Sequence, residues 1–134
     1  MSEITFRYSN EKSNIFENIK RPRIRVYVYS KVFKEWVTID DVLADTGADV
    51  SILPKTLGIV LVGKISNRRR FKINGMVSHT FAYIHELRTR LNGREIKATY
   101  AIANSDDIPP TLGRMGGLDK FKVTFEKGRV LKFS

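Results

Sequence analysis

The residues with the clearest capacity for chemistry lie in one run, Val42-Leu43-Ala44-Asp45-Thr46-Gly47-Ala48-Asp49-Val50-Ser51-Ile52-Leu53-Pro54. An apolar stretch leads into a turn that presents a carboxylate, a hydroxyl and a glycine. A second apolar stretch and a proline follow. Asp and Gly are turn formers, so a bare Asp-Thr-Gly is a common surface turn. The flanks change that reading. A turn between two apolar runs is buried or half-buried, where an ionisable group is costly without partners. A carboxylate held there is a candidate for acid–base work. Asp40, Asp41, Asp106, Asp107 and Asp119 are not followed by Thr/Ser-Gly, so this loop occurs once.

The elements that must position it read as strands. Arg23–Ser30, Trp36–Ala44, Phe71–Ile73, His79–Leu87, Glu95–Ala103, Phe121–Phe125 and Val130–Phe133 carry β-branched or aromatic residues with at least partial alternation. Asn74-Gly75 and Asn92-Gly93 sit between such runs, and Asn-Gly suits a two-residue hairpin turn that needs positive φ twice. Glu126-Lys127-Gly128-Arg129 offers a third tight turn. Helix signals are weak, and the best candidate is a short helix around Gly117–Phe121. Residues 1–20 read as an N-terminal arm or an extra edge strand. Short strands joined by tight turns imply a compact all-β, barrel-like domain over residues 21–134.

Composition removes several kinds of chemistry. The 134 residues contain no cysteine, which excludes disulfides, thiolate metal sites and cysteine nucleophiles. His79 and His85 are the two histidines, and no acidic cluster at ligand spacing accompanies them, so no metal and no cofactor is expected. The longest apolar run, Ile59 to Val62, is too short to cross a bilayer, and the reading is a soluble, cytoplasmic protein without a membrane partner. The formal net charge of +10 raises the question of nucleic acid. Arg23, Arg25, Tyr27 and Tyr29 alternate with Ile24, Val26 and Val28, as on a sheet with one wet face. The cluster Arg68-Arg69-Arg70 with Lys72 reads as a solvated loop and strand start. Nucleic acid is therefore not the expected partner.

Three segments together resemble the retropepsins, the single-domain aspartic peptidases of retroviruses and their cellular and prokaryotic relatives. Asp45-Thr46-Gly47-Ala48, with the apolar strand before it and Asp49-x-Ser51-x-Leu53-Pro54 after it, matches their active-site loop. Pro110-Thr111-Leu112-Gly113-Arg114, followed by Leu118 to Phe125, matches their late Gly-Arg element. Phe71 to His79 falls where their flap hairpin lies. The resemblance covers roughly Arg21 to Phe125. It departs from the family at Met115, where Asn or Asp is usual, and at a flap tip with one glycine, Gly75. Met1 and the single-domain length favour a stand-alone cellular or prokaryotic member over a piece of a polyprotein.

The resemblance implies a closed retropepsin-like barrel with a flap and at most one short helix, assembled as a homodimer. Peptide hydrolysis by carboxylates needs two of them, one ionised to take a proton from water and one protonated to polarise the carbonyl. Two carboxyl groups about 3 Å apart share one proton, as aspartic peptidases illustrate. One loop per chain then calls for a two-fold axis that sets Asp45 beside its own copy. By the same resemblance Asp45, Thr46 and Gly47 are catalytic. Thr46 braces the two loops across the axis, and Gly47 lets substrate backbone approach. Ala48, Asp49, Ile73, Asn74, Gly75, Met76 and Val77 bind substrate. Gly113 and Arg114 support the loop, with Arg114 pairing to Asp49. Apolar pockets are expected from Ile52, Ile73, Met76 and Val77. Arg21 reads as solvated. The substrate is a peptide or protein. The alternatives are a non-catalytic dimeric peptide-binding module of this fold and a basic nucleic-acid-associated protein.

Overall fold

The computed structural model describes residues 3–74 and 79–134, the side chains of Asn74 and His79 excepted. The described strands are β1 (Ile4–Arg7), β2 (Ser9–Glu11), β3 (Ile19–Arg21), β4 (Arg23–Ser30), β5 (Glu35–Ala44), β6 (Ser51–Leu53), β7 (Arg70–Asn74), β8 (His79–Leu91), β9 (Arg94–Ala103), β10 (Thr111–Leu112), β11 (Val123–Glu126) and β12 (Val130–Phe133). Strands β4, β5, β10, β6, β9 and β8 pair in that order, and β8 pairs back to β4, so the sheet closes on itself as a barrel of six strands. Closure satisfies the hydrogen bonds that free edges would leave open. Strand β7 continues the sheet beyond β8, β1-β12-β11 form a separate three-stranded sheet, and β2 pairs with β3.

Alternation along β4 is as the sequence suggests: Ile24, Val26, Val28 and Ser30 are buried between more exposed neighbours. The Ile24, Val26 and Val28 side chains share one core with Ile39, Val42, Leu87, Leu91, Ala98 and Ile102. The β1-β12-β11 sheet closes one side of this core. Phe133 is fully buried, with the Phe6 and Phe121 rings edge-on to it at 6.0 and 5.7 Å between centroids. Each such buried side chain contributes about 1.5–3 kcal/mol relative to exposure.

Turn chemistry is local and legible. Asn92 and Gly93 have φ of 54° and 69° and join β8 to β9. Lys127 and Gly128, at 50° and 63°, join β11 to β12 in the same left-handed pair. Strand β8 runs past the expected end at Leu87 because Arg88 and Arg90 point outward while Thr89 and Leu91 stay buried.

The helices differ from expectation. The segment around Gly117–Phe121 forms only a 3-10 turn, Leu118–Lys120, since Gly117 disfavours a longer helix. The one α-helix among the described residues is α1, Lys55–Val62, on the segment that holds the longest apolar run. Its first turn is capped from a distance. The Asp106 carboxylate accepts from the Thr56 N–H at 2.8 Å and from the Thr56 hydroxyl at 2.7 Å. Those bonds hold the Asp106 carboxyl below its ordinary range, the backbone bond most of all. Gly58 lets the helix lie on β9, where a Cβ would stand 2.2 Å from the Ile102 Cγ2.

One buried polar pair joins the neighbouring strands β8 and β9 inside the barrel. The Tyr100 hydroxyl lies 2.8 Å from Thr89 Oγ1, which also reaches the Leu87 carbonyl at 3.3 Å. Burial pushes the Tyr100 phenol up to about 12, against a small opposing pull from Thr89. The folded state therefore holds this proton more tightly than the unfolded chain. Its contribution, on the order of 2–3 kcal/mol, is fully present below the unfolded phenol pKa of about 10 and is lost as pH rises towards the folded value. In Tyr100→Phe the alkaline decline in urea midpoint between about pH 10 and 12 should become shallower than in wild type. Parallel declines in the two proteins would contradict this account.

Candidate active site

The loop of interest grows out of the end of β5 and returns as β6, but these two strands do not pair with each other. Strand β10 lies between them, parallel to β5 through Leu43 and Ala44 and antiparallel to β6 through Ile52. Backbone bonds fix the approach on both sides. Leu43 N–H donates to the Pro110 carbonyl at 3.0 Å, Ala44 N–H to Pro22 at 2.9 Å, and Asp45 N–H to Leu112 at 3.0 Å. Both prolines serve as acceptors, the one backbone role that proline keeps.

The loop turns on its own aspartate. The Asp45 Oδ1 accepts from the Gly47 N–H at 2.9 Å, and the Asp45 carbonyl accepts from Ala48 at 3.2 Å. This is the short side-chain-to-backbone ring that favours Asp in turns. Thr46, Gly47 and Asp49 are exposed, while Asp45 and Ala48 are half-buried. The carboxylate thus stands near the tip of a loop whose base is anchored in the barrel.

The Gly-Arg element supplies that anchor. Arg114 N–H donates to the Ala48 carbonyl at 2.9 Å, and Met115 N–H to the Asp49 carbonyl at 2.8 Å. A Cβ on Gly113 would stand 2.4 Å from the Val50 oxygen and 2.8 Å from the Ala48 oxygen, so only glycine fits. The buried Ser51 hydroxyl accepts from the Gly113 N–H at 3.0 Å, an additional brace. Ser51 carried no expected role, although a hydroxyl among Val50, Ile52 and Leu53 was the available signal.

Loop residues Asp45 to Asp49 and the support residues Gly113 and Arg114 are therefore adjacent. Arg114 does not make the expected pair with Asp49. Its guanidinium reaches Asp119 at 3.5 Å, because the chain turns through Gly116, at φ 66°, and returns over it. Both partners are about half exposed, so the pair contributes little. Arg21 approaches Glu11 at 3.5 Å rather than standing free in solvent. Ile73 and the backbone of Asn74 end β7, whereas Gly75, Met76 and Val77 lie outside the described residues. His85 directs Nε2 to the Ile65 carbonyl at 2.7 Å. Among the described residues no group of His, Asp and Glu side chains has the arrangement of a metal site.

The base of the loop is braced from the N-terminal side as well. Glu11 receives two bonds from the Arg23 guanidinium, at 2.8 and 3.0 Å, where Arg23 lies opposite Leu43. The Arg23 hydrogen bond holds the Glu11 carboxyl below its ordinary range.

Comparison with known proteins places this architecture. No family model and no curated protein sequence matches the chain. Among solved structures, a retropepsin-like aspartic protease from Rickettsia conorii shares 20% identity over 98% of both chains, with a TM-score of 0.63. The EIAV protease in complex with the inhibitor HBY-793 shares 26% identity over 71% of this chain and 83% of that one, with a TM-score of 0.53. No helix among the described residues is long and apolar enough to cross a membrane. The closed barrel, the β10 strand set between the arms of the Asp-Thr-Gly loop and these likenesses give one conclusion: the chain has the fold of the retropepsin-like aspartic proteases.

Proposed function

We propose that the protein is an aspartic endopeptidase whose active unit is a homodimer, with the two Asp45 carboxylates as its catalytic pair. The observation that carries this reading is the Asp45 loop itself. A carboxylate is held near an exposed tip by its own Gly47 N–H, on a base braced by β10, Gly113 and Ser51. The likeness to two aspartic proteases supports peptide hydrolysis in general.

In the proposed mechanism the pair shares one proton. The ionised member takes a proton from a water between the carboxyls, and the resulting hydroxide adds to the peptide carbonyl. The protonated member gives its proton to the carbonyl oxygen. The carboxyl that took the water's proton then gives it to the nitrogen, a diol hydroxyl returns a proton to the other carboxylate, and the C–N bond breaks to release the amine and the new carboxylic acid. No covalent enzyme intermediate forms. Thr46, exposed beside the carboxylate, braces one loop against the other, and Gly47 leaves room for substrate backbone. Ala48, Asp49 and the segment Ile73 to Val77 hold the peptide as an added strand, with pockets for alternate side chains. Gly113 and Arg114 keep the loop in place, and residues 1–20 serve as an arm that adds the edge strand β1 to the domain of residues 21–134.

Asp45→Asn tests the pair. The variant should dimerise and lose at least about a thousandfold in kcat/KM, because an amide can neither accept nor donate the shared proton. Mixed in equal amounts with wild type and allowed to exchange, it should leave about a quarter of the dimers with two carboxylates, so activity should fall to about a quarter of that of wild type alone at the same total protein concentration. Activity that only halves at that same total concentration would mean that each chain works alone, and the dimeric mechanism would be wrong. Lack of cleavage by wild type across peptide libraries would favour the non-catalytic peptide-binding reading.

Pocket chemistry gives a second expectation. Ile52 is half-buried in β6 and Ile73 half-buried in β7, so side chains flanking the cut bond should be mainly apolar. Profiling with a peptide library reads this directly, and a preference for charged residues on both sides of the bond would refute it.

A further inference from the structure

We infer that the outer face of β4, β8 and β9 is a docking track for single-stranded nucleic acid. The net charge of +10 has no use in the catalytic scheme, and the fold gathers part of it in one place. Lys31, Arg69, Arg88 and Lys97 come from four separate segments and line one open hollow of about 580 Å³. Its one carboxylate is Glu86, 3.8 Å from Lys97. Further along the same face, Tyr27, Trp36 and Arg90 line a second hollow of about 300 Å³.

A ridge of stacked groups joins the two hollows. The Arg90 guanidinium lies over the Trp36 ring at 4.0 Å. The Arg88 guanidinium lies over Tyr29 at 4.6 Å and near Trp36 at 5.1 Å. Glu95 fixes both, with two bonds of 3.0 Å to Arg88 and a 3.8 Å contact to Arg90. Both arginine side chains remain about half exposed. The guanidiniums are thus held over aromatic rings, with cationic surface left open to water. Five cations (Lys31, Arg69, Arg88, Arg90, Lys97) stand against two carboxylates (Glu86, Glu95), a surplus of three charges.

This chemistry suits one class of partner. Phosphates answer the surplus charge, and unstacked bases lie on guanidinium and aromatic planes. An acidic peptide would use the charge but not the planes. A duplex keeps its bases stacked inside and would not reach them. Trp36 is nine residues from Asp45 along the β5 direction, so the aromatic end of the track lies roughly 25–30 Å from the catalytic loop. It is independent of the proposed peptidase chemistry.

Fluorescence anisotropy with a short, labelled, mixed-sequence single strand tests the proposal on the full chain. Wild type should bind at low salt, with log K falling against log salt at a slope of about −2, as expected for three neutralised phosphates on a single strand. Lys31→Glu/Arg69→Glu/Lys97→Glu should weaken binding at least about tenfold and flatten the slope. Arg69→Glu alone should do so to a smaller degree, and thermal melts establish that both variants are folded. Arg90→Lys keeps the charge but loses the plane, and should cost about five- to tenfold for the single strand and nothing for polyphosphate. Absence of binding at low salt would overturn the proposal. So would equal affinity for polyphosphate or polyglutamate, or tighter binding of the matching duplex.

Discussion

The structure depends on the close approach of two backbones, where Gly113 lies against the carbonyls of Ala48 and Val50. Any side chain at Gly113 would overlap the Val50 oxygen, 2.4 Å from where a Cβ would stand. Because the space exists, β10 can lie between the arms of the loop and bond to both. Asp45 N–H then finds the Leu112 carbonyl, and the Ala48 and Asp49 carbonyls find Arg114 and Met115. The loop is fixed through main-chain atoms, so its side chains remain available for chemistry. A site fixed mainly by backbone bonds at its base spends few of its polar side chains on holding itself up, the buried Ser51 hydroxyl being one. Asp45 is in part another, since Oδ1 also closes the turn onto Gly47.

That constraint extends outward on both flanks of β5. Pro22 accepts from Ala44 on one side, and Pro110 and Leu112 accept from Leu43 and Asp45 on the other. Pro22 follows directly on Arg21, which with Arg23 lies against Glu11. The Glu11 pair with Arg23 is partly buried, and the bidentate geometry gives it more value than the exposed pairs of this surface. The N-terminal strands are thereby tied to the segment that carries the carboxylate. Loss of Glu11 would loosen the start of β4 before it touched the barrel core.

Much of this architecture was legible in the chain, for identifiable reasons. Strand β4 shows its alternation because one face is dry and the other wet. The Asn92-Gly93 and Lys127-Gly128 turns show because positive φ at two successive residues is a local demand. Helix α1 did not show. Its interior holds Gly58 and three β-branched residues, and its cap, Asp106, is fifty residues away. The Arg114 partner was missed for a similar reason. The positive-φ turn at Gly116 brings Asp119 back over the guanidinium, a path that motif spacing does not encode. Ser51 stood in plain view as a hydroxyl in an apolar run, but its role depends on where β10 falls.

Charge shows the same division between what is local and what only folding assembles. Read along the chain, Arg88, Arg90 and Lys97 are ordinary outward residues of two strands, and Lys31 and Arg69 belong to turns. Each taken singly is a solvated cation. The pairing of Tyr27 with Arg90 across β4 and β8 closes the barrel, and the same closure sets Trp36, Tyr29 and the two guanidiniums in one stack. Alternation in one strand therefore reports which residues are wet, and not which wet residues meet. In a closed barrel the meeting is set by the strand pair that joins the two ends of the sheet. That pair gives this small protein two distinct features: a carboxylate at the tip of one loop, and a cationic surface whose guanidiniums lie over aromatic rings.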